Sequence, residues 1–156
     1  MTIFSLREVI EQAVQTEKTG NEFYTAMAKK FHENNELKKL FETLAAQEIK
    51  HEQVFTSLKN KIKDEAPDGW NEVSLYLKAI VDSEFFLGKD KSLAAIQNVN
   101  TSADAIKFAL GFERETLLYY YGLRDMIQEK KVIDEVIKEE KSHIVWLGDL
   151  RKSFAE

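Results

Sequence analysis

Residues 44–55 read Leu44-Ala45-Ala46-Gln47-Glu48-Ile49-Lys50-His51-Glu52-Gln53-Val54-Phe55, and this stretch decides the fold. Around it apolar residues recur at helical spacing, through Leu37, Leu40, Phe41 and Leu44 on one side and Phe55, Leu58 and Ile62 on the other. That alternation of three and four predicts a helix packed by one face in a bundle. Glu48 and His51 occupy positions on that face where apolar residues belong. Two side chains three apart have Cβ atoms about 5–6 Å apart, close enough to converge on one cation.

The same interruption recurs in three further stripes. Ser5 and Glu8 form a capping box that opens a first helix. Its stripe runs Leu6, Val9/Ile10, Ala13/Val14, Tyr24, Met27/Ala28 and Phe31, and Glu17 breaks it. Asn34-Asn35 turns the chain into the second helix. Thr101 or Ser102 can cap a third long helix, striped by Ile106, Ala109/Leu110, Leu117, Tyr120, Leu123 and Ile127 and broken at Glu113. It is expected to fade near Gln128–Lys131. A fourth stripe, Ile133, Val136/Ile137, Leu147, Leu150 and Phe154, is broken at Glu140 and His143. Between helices two and three, Pro67-Asp68-Gly69 stops the pattern and a short helix is expected over Asn71–Ser83. Gly88–Asn100 shows no long period, so Lys63–Asn100 reads as a crossover carrying minor helices. The expected fold is an all-α four-helix bundle with a long crossover between helices 2 and 3, one domain over residues 1–156.

Burying a single ion costs several kcal/mol even after relaxation. Four unpaired inward carboxylates would therefore consume much of a typical stability of about 5–15 kcal/mol. Either a cationic partner neutralises them or they are protonated. Glu17, Glu48, His51, Glu113, Glu140 and His143 make six candidate ligands for two metals, the set that carboxylate bundles use. Glu17 to Tyr24 and Glu113 to Tyr120 share one spacing, and each half then supplies one Glu-x-x-His pair. Two helical hairpins related by a pseudo-twofold would set equivalent ligands on opposite sides of one dinuclear centre.

Composition narrows the function classes. The chain of 156 residues has no cysteine, which excludes disulfides, iron–sulfur clusters, thiolate zinc sites and cysteine nucleophiles. A net charge of −5 argues against a nucleic-acid binder with a broad basic face. No window reaches the roughly 18 uncharged apolar residues of a membrane span. The opening Met1-Thr2-Ile3-Phe4-Ser5-Leu6-Arg7-Glu8 lacks the regions of a signal peptide, so a cytoplasmic location is expected.

The segments Glu17-Lys18-Thr19-Gly20-Asn21-Glu22-Phe23-Tyr24, Glu48-Ile49-Lys50-His51, Glu113-Arg114-Glu115-Thr116 and Glu140-Lys141-Ser142-His143 resemble those of the rubrerythrin-like branch of the ferritin-like superfamily. The match runs over essentially the whole chain. The resemblance implies a ferritin-like bundle with two iron ions (manganese or a mixed pair fit the same ligands) and a role in oxidative-stress defence. Glu17 and Glu113 would be terminal carboxylates, Glu48 and Glu140 bridging carboxylates, and His51 and His143 terminal nitrogen ligands. Tyr24 and Tyr120 would orient ligand carboxylates, with Tyr121 the alternative on helix three. The implied substrate is hydrogen peroxide or dioxygen, and the implied assembly is a homodimer. Non-peroxidase iron binding and oxidation, for storage or handling, is the alternative use of the same ligands. Two departures stand out. Without cysteine the chain has no rubredoxin-type iron domain, so electrons would come from an external donor protein. The position of the family's additional third-helix glutamate is Thr116, and Glu115 is one residue off; this sets the exchange-based peroxidase mechanism in question.

Other residues carry simpler readings. His32 lacks a glutamate three residues before it and reads as surface. Trp146 reads as core filler ahead of an electron relay, and the Tyr119-Tyr120-Tyr121 run as packing. Lys59, Lys61 and Lys63 suit a helix C-terminus. Glu11, Glu22, Glu52 and Glu139 read as solvated.

Overall fold

A computed structural model describes residues 4–63 and 65–154; Met1–Ile3 of the opening stretch lie outside the described residues. Four long helices form two antiparallel hairpins. The first pairs α1 (Leu6–Lys30) with α2 (Asn35–Lys61). The crossover carries α3 (Trp70–Val81) and α4 (Ser92–Asn98), and α5 (Ser102–Arg124) with α6 (Lys130–Phe154) forms the second hairpin. No strand occurs among the described residues, and none of their helices is long and apolar enough to cross a membrane.

Local chemistry sets the helix starts. The Ser5–Glu8 capping box is present at α1, and Asn34 caps α2 by accepting from Leu37 N at 3.1 Å. Of the two candidate caps for α5, Thr101 takes the role, in a second capping box with Asp104. α3 begins one residue before the expected Asn71. Gly69 supplies a left-handed turn (φ 78°) that a side chain would strain, and the Trp70 indole donates to Phe4 O at 2.8 Å. α5 ends at Arg124, short of the expected Gln128–Lys131. Ile127 continues the apolar period, but it is delivered to the core by a turn, with Met126 N bonded to Leu123 O, rather than by helix. Phe154, read as part of the fourth stripe, is exposed on the last turn of α6. It lies beyond Leu150, which is itself only half-buried.

The crossover is tied to the bundle along its length. Ser74 Oγ accepts from Phe4 N at 3.0 Å, Thr19 Oγ1 donates to Leu87 O at 2.9 Å, and Ser92 donates to Glu22. The buried core falls into two apolar clusters. One gathers Val9, Ile10, Phe55, Tyr120 and Ile133; the other gathers Phe23, Met27, Phe41, Leu44 and Phe112. Between them lies a belt of buried glutamates and histidines, one or two from each long helix.

Candidate metal centre

Each long helix gives the belt its glutamate near mid-length, where the 3–4 stripe points inward whatever residue occupies it. Glu17, Glu113, Glu140 and His143 have no exposed surface, and Glu48 and His51 are 1% and 2% exposed. The six candidate ligands from the sequence are thus brought together. They form two overlapping groups, Glu17, Glu48, His51 and Glu140, and Glu48, Glu113, Glu140 and His143. Within each group one donor atom per residue lies within 4.8 Å of the others. Glu48 and Glu140 belong to both, the place a shared carboxylate must hold.

Both imidazoles turn Nδ1 inward. His51 Nδ1 is 2.9 Å from Glu140 Oε1 and 3.6 Å from Glu17 Oε2. His143 Nδ1 is 3.2 Å from Glu140 Oε2 and 3.3 Å from Glu113 Oε1. The rings face one another at 5.9 Å between centroids. Two phenols close the site crosswise: Tyr24 on α1 donates to Glu113 Oε1 at 2.6 Å, and Tyr120 on α5 donates to Glu17 Oε1. Tyr121, the alternative, is 41% exposed, with the Lys141 ammonium over its ring. Gly20 makes room for the belt, because a Cβ there would stand 2.9 Å from Glu48 Oε2.

Without a metal the belt is crowded with protons. Burial opposes charging of His51, but Glu17 and Glu140 outweigh it and push the imidazole up to about 12. His143 goes to about 10, with Glu113 and Glu140 again overcoming burial. Burial raises Glu48 and Glu113 well above the carboxylate range, reinforced by neighbouring carboxylates. Glu140 moves the other way. Burial would raise it, yet its bonds with Glu113 and the two imidazoles hold it well below that range. Burial and the nearby carboxylates keep Tyr24 and Tyr120 protonated.

These protons leave the site polar but incompletely bonded. No N–H or hydroxyl donates to Glu17 Oε2, to either Glu48 oxygen or to Glu113 Oε2, and His143 Nε2 is buried without a partner. Orphaned oxygens concentrated in one belt of an otherwise apolar core are the pattern expected of a cation site. The donor set of carboxylate oxygens and imidazole nitrogens suits iron, manganese or zinc. With neutral imidazoles, two divalent ions balance the four carboxylates.

The family model for rubrerythrin matches residues 8–150. This chain belongs to the rubrerythrin family. Among solved structures, this rubrerythrin-family chain is similar to one from Thermotoga maritima described as a ferritin-like diiron-carboxylate protein. The two share 22% identity with a TM-score of 0.70, and the alignment covers 97% of each chain. That likeness shows the fold. No curated protein matches the chain.

Several readings need correction. Trp146 is not core filler: it is 40% exposed and its ring lies over His143 at 5.6 Å, because the inward position one turn after His143 is taken by Leu147. Glu139 is more than a solvated residue. Its carboxylate is 45% exposed, yet Oε2 lies 2.5 Å from His51 Nε2. Glu139 lies off the inward stripe, so the apolar period of α6 does not mark it. The usable signal was the rule that a ligating imidazole needs an acceptor on its other nitrogen. Glu11 is paired as well, accepting from Lys59 at 2.7 Å and tying α1 to α2. His32 is exposed and bonds only locally, to Lys29 O. Thr116 is buried beside Glu113's turn with an unpartnered hydroxyl, whereas Thr16 and Thr19 bond back to their own helix.

Proposed function

We propose that the chain is a di-iron carboxylate oxidoreductase that reduces hydrogen peroxide or dioxygen with electrons from a separate donor protein. The observation that carries this reading is the belt of six buried ligand side chains with orphaned oxygens in a rubrerythrin-family bundle. Glu17 and Glu113 would each hold one ion, Glu48 and Glu140 both, and His51 and His143 would add one nitrogen each. Two ferrous ions, when bound, supply the two electrons that with two protons convert peroxide to two waters.

The chain's own residues do the rest. Tyr24 Oη and Tyr120 Oη donate to Glu113 Oε1 and Glu17 Oε1, fixing which oxygen of each carboxylate is free for a ligand. The apolar layers on both sides exclude bulk water, which strengthens every charge interaction in the belt. With no cysteine in the chain, reductant arrives from outside, and a homodimer is the proposed assembly.

A specific observation favours a second reading, iron binding and oxidation for storage or handling. Thr116 stands where the resemblance calls for an extra carboxylate, so the belt offers six ligand side chains and no seventh among the described residues. The two readings separate by turnover. Iron-loaded, reduced protein is mixed with peroxide or dioxygen and given a chemical reductant. A peroxidase reoxidises faster with peroxide, keeps its iron and consumes reductant over many cycles. Iron-handling protein passes ferric iron onward and needs fresh ferrous ion. Reoxidation no faster than that of free ferrous ion sinks both.

A further inference from the structure

The pseudo-twofold that exchanges Glu48 and His51 with Glu140 and His143 also exchanges Gln47 with Glu139. Each lies immediately before the shared glutamate and four residues before the histidine of its own helix. The belt is therefore symmetric in its ligands but not behind them. Behind His51, Nε2 meets a carboxylate, Glu139 Oε2, at 2.5 Å across from α6. Behind His143, Nε2 is buried with no partner, and on α2 the Gln47 side-chain oxygen is buried with no partner too. These two orphaned atoms, a donor N–H once Nδ1 is committed inward and an amide acceptor, are the counterparts of His51 Nε2 and Glu139 Oε2, which are bonded to each other. The ring face of His143 lies against Trp146.

We infer that Glu139 and Gln47 are positioning residues for the two imidazoles, and that their difference, carboxylate against amide, makes the two metal positions unequal. The inference rests on the dimetal reading of the belt. A carboxylate accepting from the outer N–H fixes the tautomer and makes the inner nitrogen a stronger donor; a neutral amide does this more weakly. The position built on Glu17 and His51 binds a divalent ion first, and the position built on Glu113 and His143 fills second. Removing such an outer partner costs on the order of 10–100-fold in metal affinity.

The test uses the metal-free full chain and cobalt(II), whose visible spectrum reports its ligands. Titration is followed by absorbance and calorimetry, and a crystal with one equivalent is examined by anomalous scattering. Wild type is expected to show two unequal steps, with the first ion beside His51. Glu139→Gln weakens the first step on the order of 10–100-fold and brings it close to the second. Gln47→Glu tightens the second step toward the first and changes its cobalt spectrum. A gain from Gln47→Glu is a result that general damage to the fold cannot imitate. Two equal steps in wild type, first occupancy beside His143, or variants that leave both steps unchanged overturn the inequality while leaving the dimetal centre standing. Failure to bind cobalt, iron, manganese or zinc refutes the centre, and the inference with it.

Discussion

Replacing Glu48 by methionine separates a ligand from a structural residue. Glu48 is 1% exposed, no N–H or hydroxyl donates to either of its carboxyl oxygens, and its carboxyl is crowded against those of Glu17, Glu140 and Glu113. Its nearest cationic neighbour is His143 Nδ1 at 4.0 Å, and that imidazole keeps Glu140 at 3.2 Å and Glu113 at 3.3 Å if Glu48 is lost. A buried polar group left unpaired costs about 1–3 kcal/mol. Methionine has a similar length and carries no oxygen to satisfy, so the metal-free variant should gain about 1–3 kcal/mol over metal-free wild type. At about 2–4 °C per kcal/mol for a chain of this size, the melting temperature rises by about 2–12 °C. Metal reverses the order. Wild type gains about 4 kcal/mol when the free ion is a thousand times its Kd, whereas the variant has lost a residue common to both ligand groups. Thermal melts with and without manganese(II) or zinc(II) read both effects. A metal-free variant that melts below metal-free wild type would show that Glu48 is a satisfied core residue, and the reasoning would fail.

The pH dependence of stability should change sign with metal. In the metal-free chain His51 and His143 lie at about 12 and about 10, well above the ordinary histidine value. Groups raised in this way give their full stabilisation below about pH 6.5 and lose it as pH climbs toward those values. Glu48 and Glu113 are raised too and act in the same direction from a lower starting pH; Glu140 is depressed and matters only in acid. Metal-free protein should therefore melt lower at pH 9 than at pH 6.5. Metal-loaded protein should gain more from its ions as pH rises, since the ions displace those same protons. Gly20→Ala places a Cβ 2.9 Å from Glu48 Oε2 and 3.1 Å from the Phe112 ring. The helix favours alanine by about 1 kcal/mol, so the fold should persist by circular dichroism while divalent-ion affinity drops at least about tenfold.

The interruptions of the apolar stripes made the bundle and its belt readable. Glu17, Glu48, Glu113 and Glu140 lie at positions whose neighbours one turn earlier are apolar, and burial follows from helix geometry. Caps were readable for the same local reason: Ser5 and Thr101 bond within three residues of themselves. What sequence could not give depends on contacts between helices. Glu139 reaches His51 across 88 positions of chain, and Tyr24 reaches Glu113 across 89. The exposure of Trp146 was hidden because a single step around the helix separates it from the inward Leu147. The early end of α5 was hidden because a turn delivers Ile127 to the core as well as a helix would.

A polar belt that holds two metal ions must show them when it is saturated. The most direct measurement is a crystal structure of the full chain saturated with iron or manganese, with anomalous data at that metal's absorption edge. Two peaks per chain are expected, one beside Glu17 and His51 and one beside Glu113 and His143, with Glu48 and Glu140 touching both. A belt that remains empty at saturating metal, or peaks confined to surface carboxylates, would contradict the dimetal reading.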